Sequence, residues 1–244
     1  MKKLNGVILF EGPSKLTGEP IVAIATFNSN NKKTGDMIQT WILRSDMKPT
    51  DAIKSGKDEA VCGSCPHRRS LGGGCYVNVG QAPQAVFAAY KRGSYPQLTI
   101  KQAHLFTGRS IRLGSYGDPA AVPTNIWSVL TGWTDGHTGY THQVSRAGFD
   151  ADLLSMVMVS ADTPKAAMKA RGLGQRTFRV KTIESPLLDN EVECAADTVG
   201  ISCADCQLCH GGEGVSIAIN VHGSLAGRYT AKYAKANLIN TVAI

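Results

Sequence analysis

The sequence predicts an α/β fold, either a partial (β/α) barrel or a mainly parallel sheet with helices, plus an N-terminal β-hairpin. Three observations carry this expectation. Two apolar runs, Val7-Ile8-Leu9-Phe10 and Ile21-Val22-Ala23-Ile24-Ala25, flank a stretch rich in Gly, Pro, Ser and Lys that reads as a turn. From residue 110 onward, short strand-like pieces alternate with helix-like ones. The strands are themselves apolar, as strands of a parallel sheet covered on both faces must be. The chain has 244 residues, 43% of them hydrophobic and 18% charged, which supports one sizeable core and excludes a disordered or fibrous chain.

In chain order, residues 6–27 form the hairpin and residues 28–35 a polar, basic loop. Residues 37–43 follow with strand character. Residues 82–92 carry Val86, Phe87, Ala89 and Tyr90 at helical spacing, and Gly93 stops the helix. A strand at 110–113 runs into Gly114-Ser115-Tyr116-Gly117-Asp118-Pro119, and a helix follows at 125–132. The next strand ends at Gly139-Tyr140-Thr141-His142-Gln143. Residues 149–154 read as helix and 156–160 as a strand ending at Ala161-Asp162. A helix at 164–171 has proline in its first turn. Strands at 177–181 and 215–221 complete the series. The organisation is a single domain over 1–244: a hairpin extension (1–35), a βα core (36–223) and a basic tail (224–244) that contains Arg228, Tyr229, Lys232 and Tyr233. In such sheets the loops after the strands converge on one edge, so Asp118, His142, Asp162 and His222 are expected on the same side.

Seven cysteines fall into two groups. An odd count with no export signal argues for metal, catalysis or redox use and against a disulfide framework. The later group, Cys194-x8-Cys203-x2-Cys206-x2-Cys209, has four thiolates at spacings that let a tight turn close on a tetrahedral zinc or an iron–sulfur cluster. Glycines at 200, 211 and 212 around the C-x2-C-x2-C run favour a [4Fe-4S] cluster, with zinc as the alternative. The earlier group is Cys62-Gly-Ser-Cys65-Pro-His67, then Cys75 after Gly72-Gly73-Gly74. It is one ligand short: His67 completes a structural zinc, or an open position serves substrate or water. One site shared between the two groups is a further alternative.

His142 and His222 are placed as ligands or general bases, and Asp118 as a group that binds a substrate hydroxyl or amine or else caps a turn. Asp162, before Thr163-Pro164, reads more simply as a helix cap. Lysine and arginine number 26 against 19 acids, a net charge of +7. Basic residues at 68, 69, 91, 92, 109, 112, 165, 169, 171, 176, 179 and 181 would hold phosphates if they shared a face, which makes nucleic acid or a nucleotide-derived substrate a candidate partner. The longest mostly apolar stretch, residues 153–161, falls far short of the roughly 20 residues that span a bilayer, and the chain is expected in the cytoplasm.

The ordered set Cys62-x2-Cys65-Pro-His with Cys75-Tyr-Val, Arg112-Leu-Gly-Ser-Tyr-Gly-Asp-Pro-Ala-Ala-Val-Pro, Tyr140-Thr-His-Gln and the terminal four cysteines resembles a set of uncharacterised bacteriophage proteins, which look like degenerate relatives of radical S-adenosylmethionine enzymes. The resemblance covers most of residues 37–223. It implies a partial barrel with an iron–sulfur cluster working in host cytoplasm. It also places Gly114 and Gly117 where such enzymes contact the S-adenosylmethionine amine. The first group departs from that family's C-x3-C-x2-C, being C-x2-C-x9-C. The chain is also similar to base-exchanging transglycosylases, which end in a cysteine-rich zinc site. That likeness implies catalytic aspartates, for which Asp118 and Asp162 are the candidates. A non-enzymatic, metal-stabilised module that binds nucleic acid or protein is the third reading.

Overall fold

The computed structural model describes residues 4–238; residues 239–244 of the expected basic tail lie outside them. Nine strands form one sheet: β1 (Gly6–Pro13), β2 (Pro20–Thr26), β3 (Ile38–Arg44), β4 (Ser110–Tyr116), β5 (Gly136–Thr141), β6 (Met158–Ala161), β7 (Thr177–Lys181), β8 (Glu191–Glu193) and β9 (Ser216–Asn220), in the order β1-β2-β3-β4-β5-β6-β7-β9-β8. The β1–β2 and β2–β3 pairs are antiparallel, and every pair from β3 onward is parallel. The expected hairpin and mainly parallel sheet are both present; the sheet stays open and does not close into a barrel.

The helices are α1 (Pro49–Lys54), α2 (Glu59–Cys62), α3 (Ala82–Lys91), α4 (Thr124–Trp133), α5 (Pro164–Arg171), α6 (Ala195–Thr198), α7 (Cys203–Cys206) and α8 (Ala226–Leu238). The helix expected at 149–154 is a 3₁₀ turn, Ala151–Ser155, anchored by Asp150. Strand β8 was not expected, because three residues are too few to show a period. Thr163, rather than Asp162, caps α5: its hydroxyl accepts from Ala166 N, with Pro164 in the first turn. That leaves the Asp162 side chain for other work. Among the described residues no helix is long and apolar enough to cross a membrane.

Strand order explains why one face of the sheet carries ligands. From β3 to β7 each strand adds on the same side of its predecessor, so right-handed crossovers place their connections on one face. There the main core forms, with Trp127 and Leu130 of α4 against Ile111 and Leu113 of β4 and Val157 beside β6. Strand β9, still parallel, reverses the order of addition by inserting between β7 and β8. The same handedness then carries the β8–β9 connection, residues 194–215, across the opposite face. Cys194 and Cys209 pack there with Met158, Ile217 and Ile219, and with Tyr140 and Phe178. The strand residues of the first core come from β1–β4 and those of the second from β5, β6, β7 and β9.

Candidate metal centres

The β8–β9 connection places all four later cysteines around one concavity. Cys194, Cys203, Cys206 and Cys209 line it together with Thr138 of β5 and Ile217 of β9. Cys194 ends β8, its N–H bonded to Ala218 O (2.8 Å), while Cys209 O accepts from Gly139 N of β5 (3.2 Å). Between them, Ser202 caps α7, whose first and last residues are Cys203 and Cys206. Gln207 turns the chain in the left-handed region (φ 52°) and its amide donates to Ser110 Oγ (3.0 Å). The second turn of the connection is held by Arg176, whose guanidinium donates to the carbonyls of Leu208, His210 and Val215 at 2.7–3.0 Å.

Burial pushes the Cys209 thiol up to about 12, and the neighbouring cysteines add to that; burial and Cys194 raise Cys203 as well. Arg112 stands beside this group: it pairs with Thr138 in the β4–β5 register. Its guanidinium lies 5.6 Å from the Tyr140 ring and donates to Tyr76 Oη (2.9 Å). Among the described residues no carboxylate pairs with it. Burial opposes its charge, while Tyr76, Tyr140, Cys203 and Cys209 sustain it.

The earlier group sits at the carboxyl edge of the same sheet. Asp118, just past β4, is buried and both its oxygens are taken: Oδ1 accepts from Ala120 N (3.0 Å) and Thr141 Oγ1 (2.8 Å), Oδ2 from His142 N (2.9 Å) and Gln143 Nε2 (3.1 Å). Gln143 in turn clamps the first cysteine turn. Its Nε2 donates to Cys62 O (3.1 Å) and its Oε1 accepts from Ser64 N and Ser64 Oγ, both at 3.1 Å. Only glycine fits at 63, where φ is 54° and a Cβ would lie 2.2 Å from Gln143 Oε1. Arg68, paired with buried Asp58 (2.7 Å), donates to Gly63 O, and Cys75 N bonds to His67 O (3.0 Å), which folds the glycine run back on the turn.

His142, His67 and Asp162 meet here. Asp162 Oδ1 is 2.6 Å from His67 Nε2 and its Oδ2 is 3.4 Å from His142 Nε2. The three ligand atoms lie within 4.8 Å of one another, the only such set of three or more His, Cys, Asp or Glu groups among the described residues. Burial would raise the Asp162 carboxyl, but the two imidazoles hold it well below the usual carboxylate range. Burial and the neighbouring Cys65 and Cys75 push the Cys62 thiol well above its ordinary value, and burial raises Cys75 too. Helix α8 roofs the site: Tyr229 and Tyr233 pack on the His67 ring, and Tyr229 Oη donates to Asp162 O.

The structure therefore brings Cys62, Cys65, Cys75, His67, His142, Asp118 and Asp162 to one edge, and the four later cysteines to the adjoining face. His222 stands apart from both sets, its ring against Tyr76. At Gly114 a Cβ would lie 2.5 Å from Gly117 O, and at Gly117 2.7 Å from the Ile42 side chain, so both glycines serve a tight strand end packed by protein. Most of the basic residues turn inward: Arg109 to the carbonyls of Phe27 and Asp36, Arg69 to Val77 O, Arg179 to Glu191 and Lys181 to Glu193. Gln143, Tyr76 and the clamping use of Asp118 escaped the sequence reading. For Gln143 and Asp118 the signal was their position after strands; Tyr76 lies in the loop after Cys75 and gave none. Comparison with protein-family models, curated proteins and solved structures finds no match.

Proposed function

We propose that the chain is an iron–sulfur protein whose [4Fe-4S] cluster is held by Cys194, Cys203, Cys206 and Cys209, and that it does redox chemistry on the open face beside Arg112. The observation that carries this is the convergence of four thiols from the end of β8, the short helix α7 and the turn after it on a single concavity. Burial raises the Cys203 and Cys209 thiols, and a bound cation offsets that cost by taking them as thiolates. The uncompensated Arg112 guanidinium suits the net negative charge of a four-thiolate cluster.

The sequential parallel strands and the ligand-bearing carboxyl edge are in keeping with phage radical-enzyme ancestry, and a nucleotide-derived substrate is part of that reading. S-adenosylmethionine does not fit at Gly114 and Gly117, where protein fills the space, and no step is drawn through it. Base exchange by aspartates is also poorly served: Asp118 has both oxygens occupied and Asp162 is engaged by two imidazoles.

Anaerobic purification followed by iron, sulfide and zinc analysis tests the proposal. About 4 iron and 4 sulfide per chain that disappear in Cys206→Ser are expected. A colourless protein with zinc at the four-cysteine site would overturn it.

A further inference from the structure

The three-cysteine group looks one ligand short in the sequence, and the fold supplies the missing ligand from a different strand. We propose that Cys62, Cys65, Cys75 and His142 form a second, closed metal centre, in which Asp162 orients the His142 imidazole. The proposal does not depend on what the four-cysteine site holds.

The placement of His142 is determined by the same groups that place the cysteines. Asp118 accepts from His142 N and from Gln143, and Gln143 fixes both ends of the Cys62–Ser64 turn. A movement of the strand end therefore moves ligands from both segments together. The His142 ring interacts with Cys65 and Cys75, and these with Cys62. His142 Nε2 is buried and makes no hydrogen bond of good geometry, even though Asp162 Oδ2 is 3.4 Å away. A buried imidazole nitrogen in that condition costs free energy unless something else engages the ring.

Asp162 takes His67 on its other oxygen (2.6 Å) and has only 12% of its side chain exposed, so its carboxylate is held in place from both sides. A carboxylate that backs a histidine in this way fixes the tautomer and strengthens the imidazole as a ligand. His67, which the sequence favours as fourth ligand, instead packs under Tyr229 and Tyr233 and acts through Asp162. Three thiols and one imidazole suit a thiophilic metal, either the iron of a cluster or zinc. Binding converts the three thiols to thiolates, with their protons released to solvent and the imidazole bound neutral. With four protein ligands the centre has no position for substrate.

The test uses the full chain purified without oxygen, with iron, sulfide and zinc counted in the wild type, His142→Ala, His142→Cys, Asp162→Asn and, as control for the other centre, Cys206→Ser. Wild type is expected to keep metal that Cys206→Ser does not remove. His142→Ala loses that fraction, His142→Cys restores it, and Asp162→Asn weakens its retention against a chelator by about 10–100-fold. If the centre is iron, the reduced protein shows nitrogen hyperfine coupling that vanishes in His142→Cys. If it is zinc, cobalt(II) exchange gives visible bands that shift in that variant. The proposal is overturned if all metal disappears in Cys206→Ser, if His142→Ala retains the wild-type metal content, or if the imidazole signature persists in His142→Cys. Loss of iron from the four-cysteine site alone would leave this centre standing.

Discussion

The turn that carries Cys62, Cys65 and Cys75 and the connection that carries Cys194 to Cys209 hold their thiols by different means. The first is tied side chain to side chain: Asp118, Gln143, Arg68 and Asp58 form a buried polar lattice around it. The second has few such ties. It rests on apolar burial of Cys194 and Cys209 and on Arg176, whose guanidinium collects carbonyls. Its helices α6 and α7 have four residues each, too short to persist on their own, and Val199 between them is 75% exposed. The protein's own side-chain contacts thus organise the first region more fully than the second.

The sharpest way to break the first region is Asp118→Ala. It removes four accepted hydrogen bonds at once and strands Thr141, His142 N and Gln143 as buried donors. A cost of about 3–5 kcal/mol is expected, with disorder of the first cysteine turn. A urea midpoint within ~0.5 kcal/mol of wild type would show that the lattice is ornamental. Arg176→Ala is the matching cut in the second region. It frees the carbonyls of Leu208, His210 and Val215, and a smaller loss of about 1–3 kcal/mol is expected, because those carbonyls lie nearer the surface and water can reach them. If Arg176→Ala proved costlier than Asp118→Ala, the contrast between the two regions would be reversed.

Chelation tests the same contrast without mutation. Stripping metal should remove amide protection across residues 194–209 while residues 62–77 keep most of theirs, as hydrogen exchange would read. Equal loss in both segments would mean that the first region also depends on metal for its order.

How much of this was legible follows the range of each interaction. The hairpin, the βα series and both cysteine groups are local patterns, and all appear in the sequence. The side of the sheet on which each group lies is not local: it follows from β9 inserting inside β8, and a three-residue strand leaves no period to announce it. His142 was legible as a strand-end histidine, but its partners come from a turn some 80 residues earlier. Gln143 stood in the strand-end stretch Tyr140-Thr-His-Gln without a role, since an amide alone does not announce its partners. The basic residues misled for the opposite reason: Arg176, Arg179 and Arg68 were read as surface charge, and burial turned them into carbonyl and carboxylate partners.

The smallest expected effect is a pH dependence where the second region meets the sheet. His137, at the amino end of β5, lies with its ring 6.2 Å from that of His210, and its Nε2 is buried without a hydrogen bond. Burial, helped by His210, pushes it down to about 4. An unfolded histidine takes up its proton near 6.5, so between these values the unfolded state binds a proton that the folded state refuses. Stability on this account is full above about pH 6.5, declines as pH falls toward 4 and then levels. Partial exposure screens the effect, leaving about 1–2 kcal/mol. Urea midpoints of wild type and His137→Gln at pH 7 and pH 4.5 isolate it: the gap between them should narrow or invert at the lower pH. An identical pH slope in both proteins would place the acid sensitivity elsewhere than in this histidine pair.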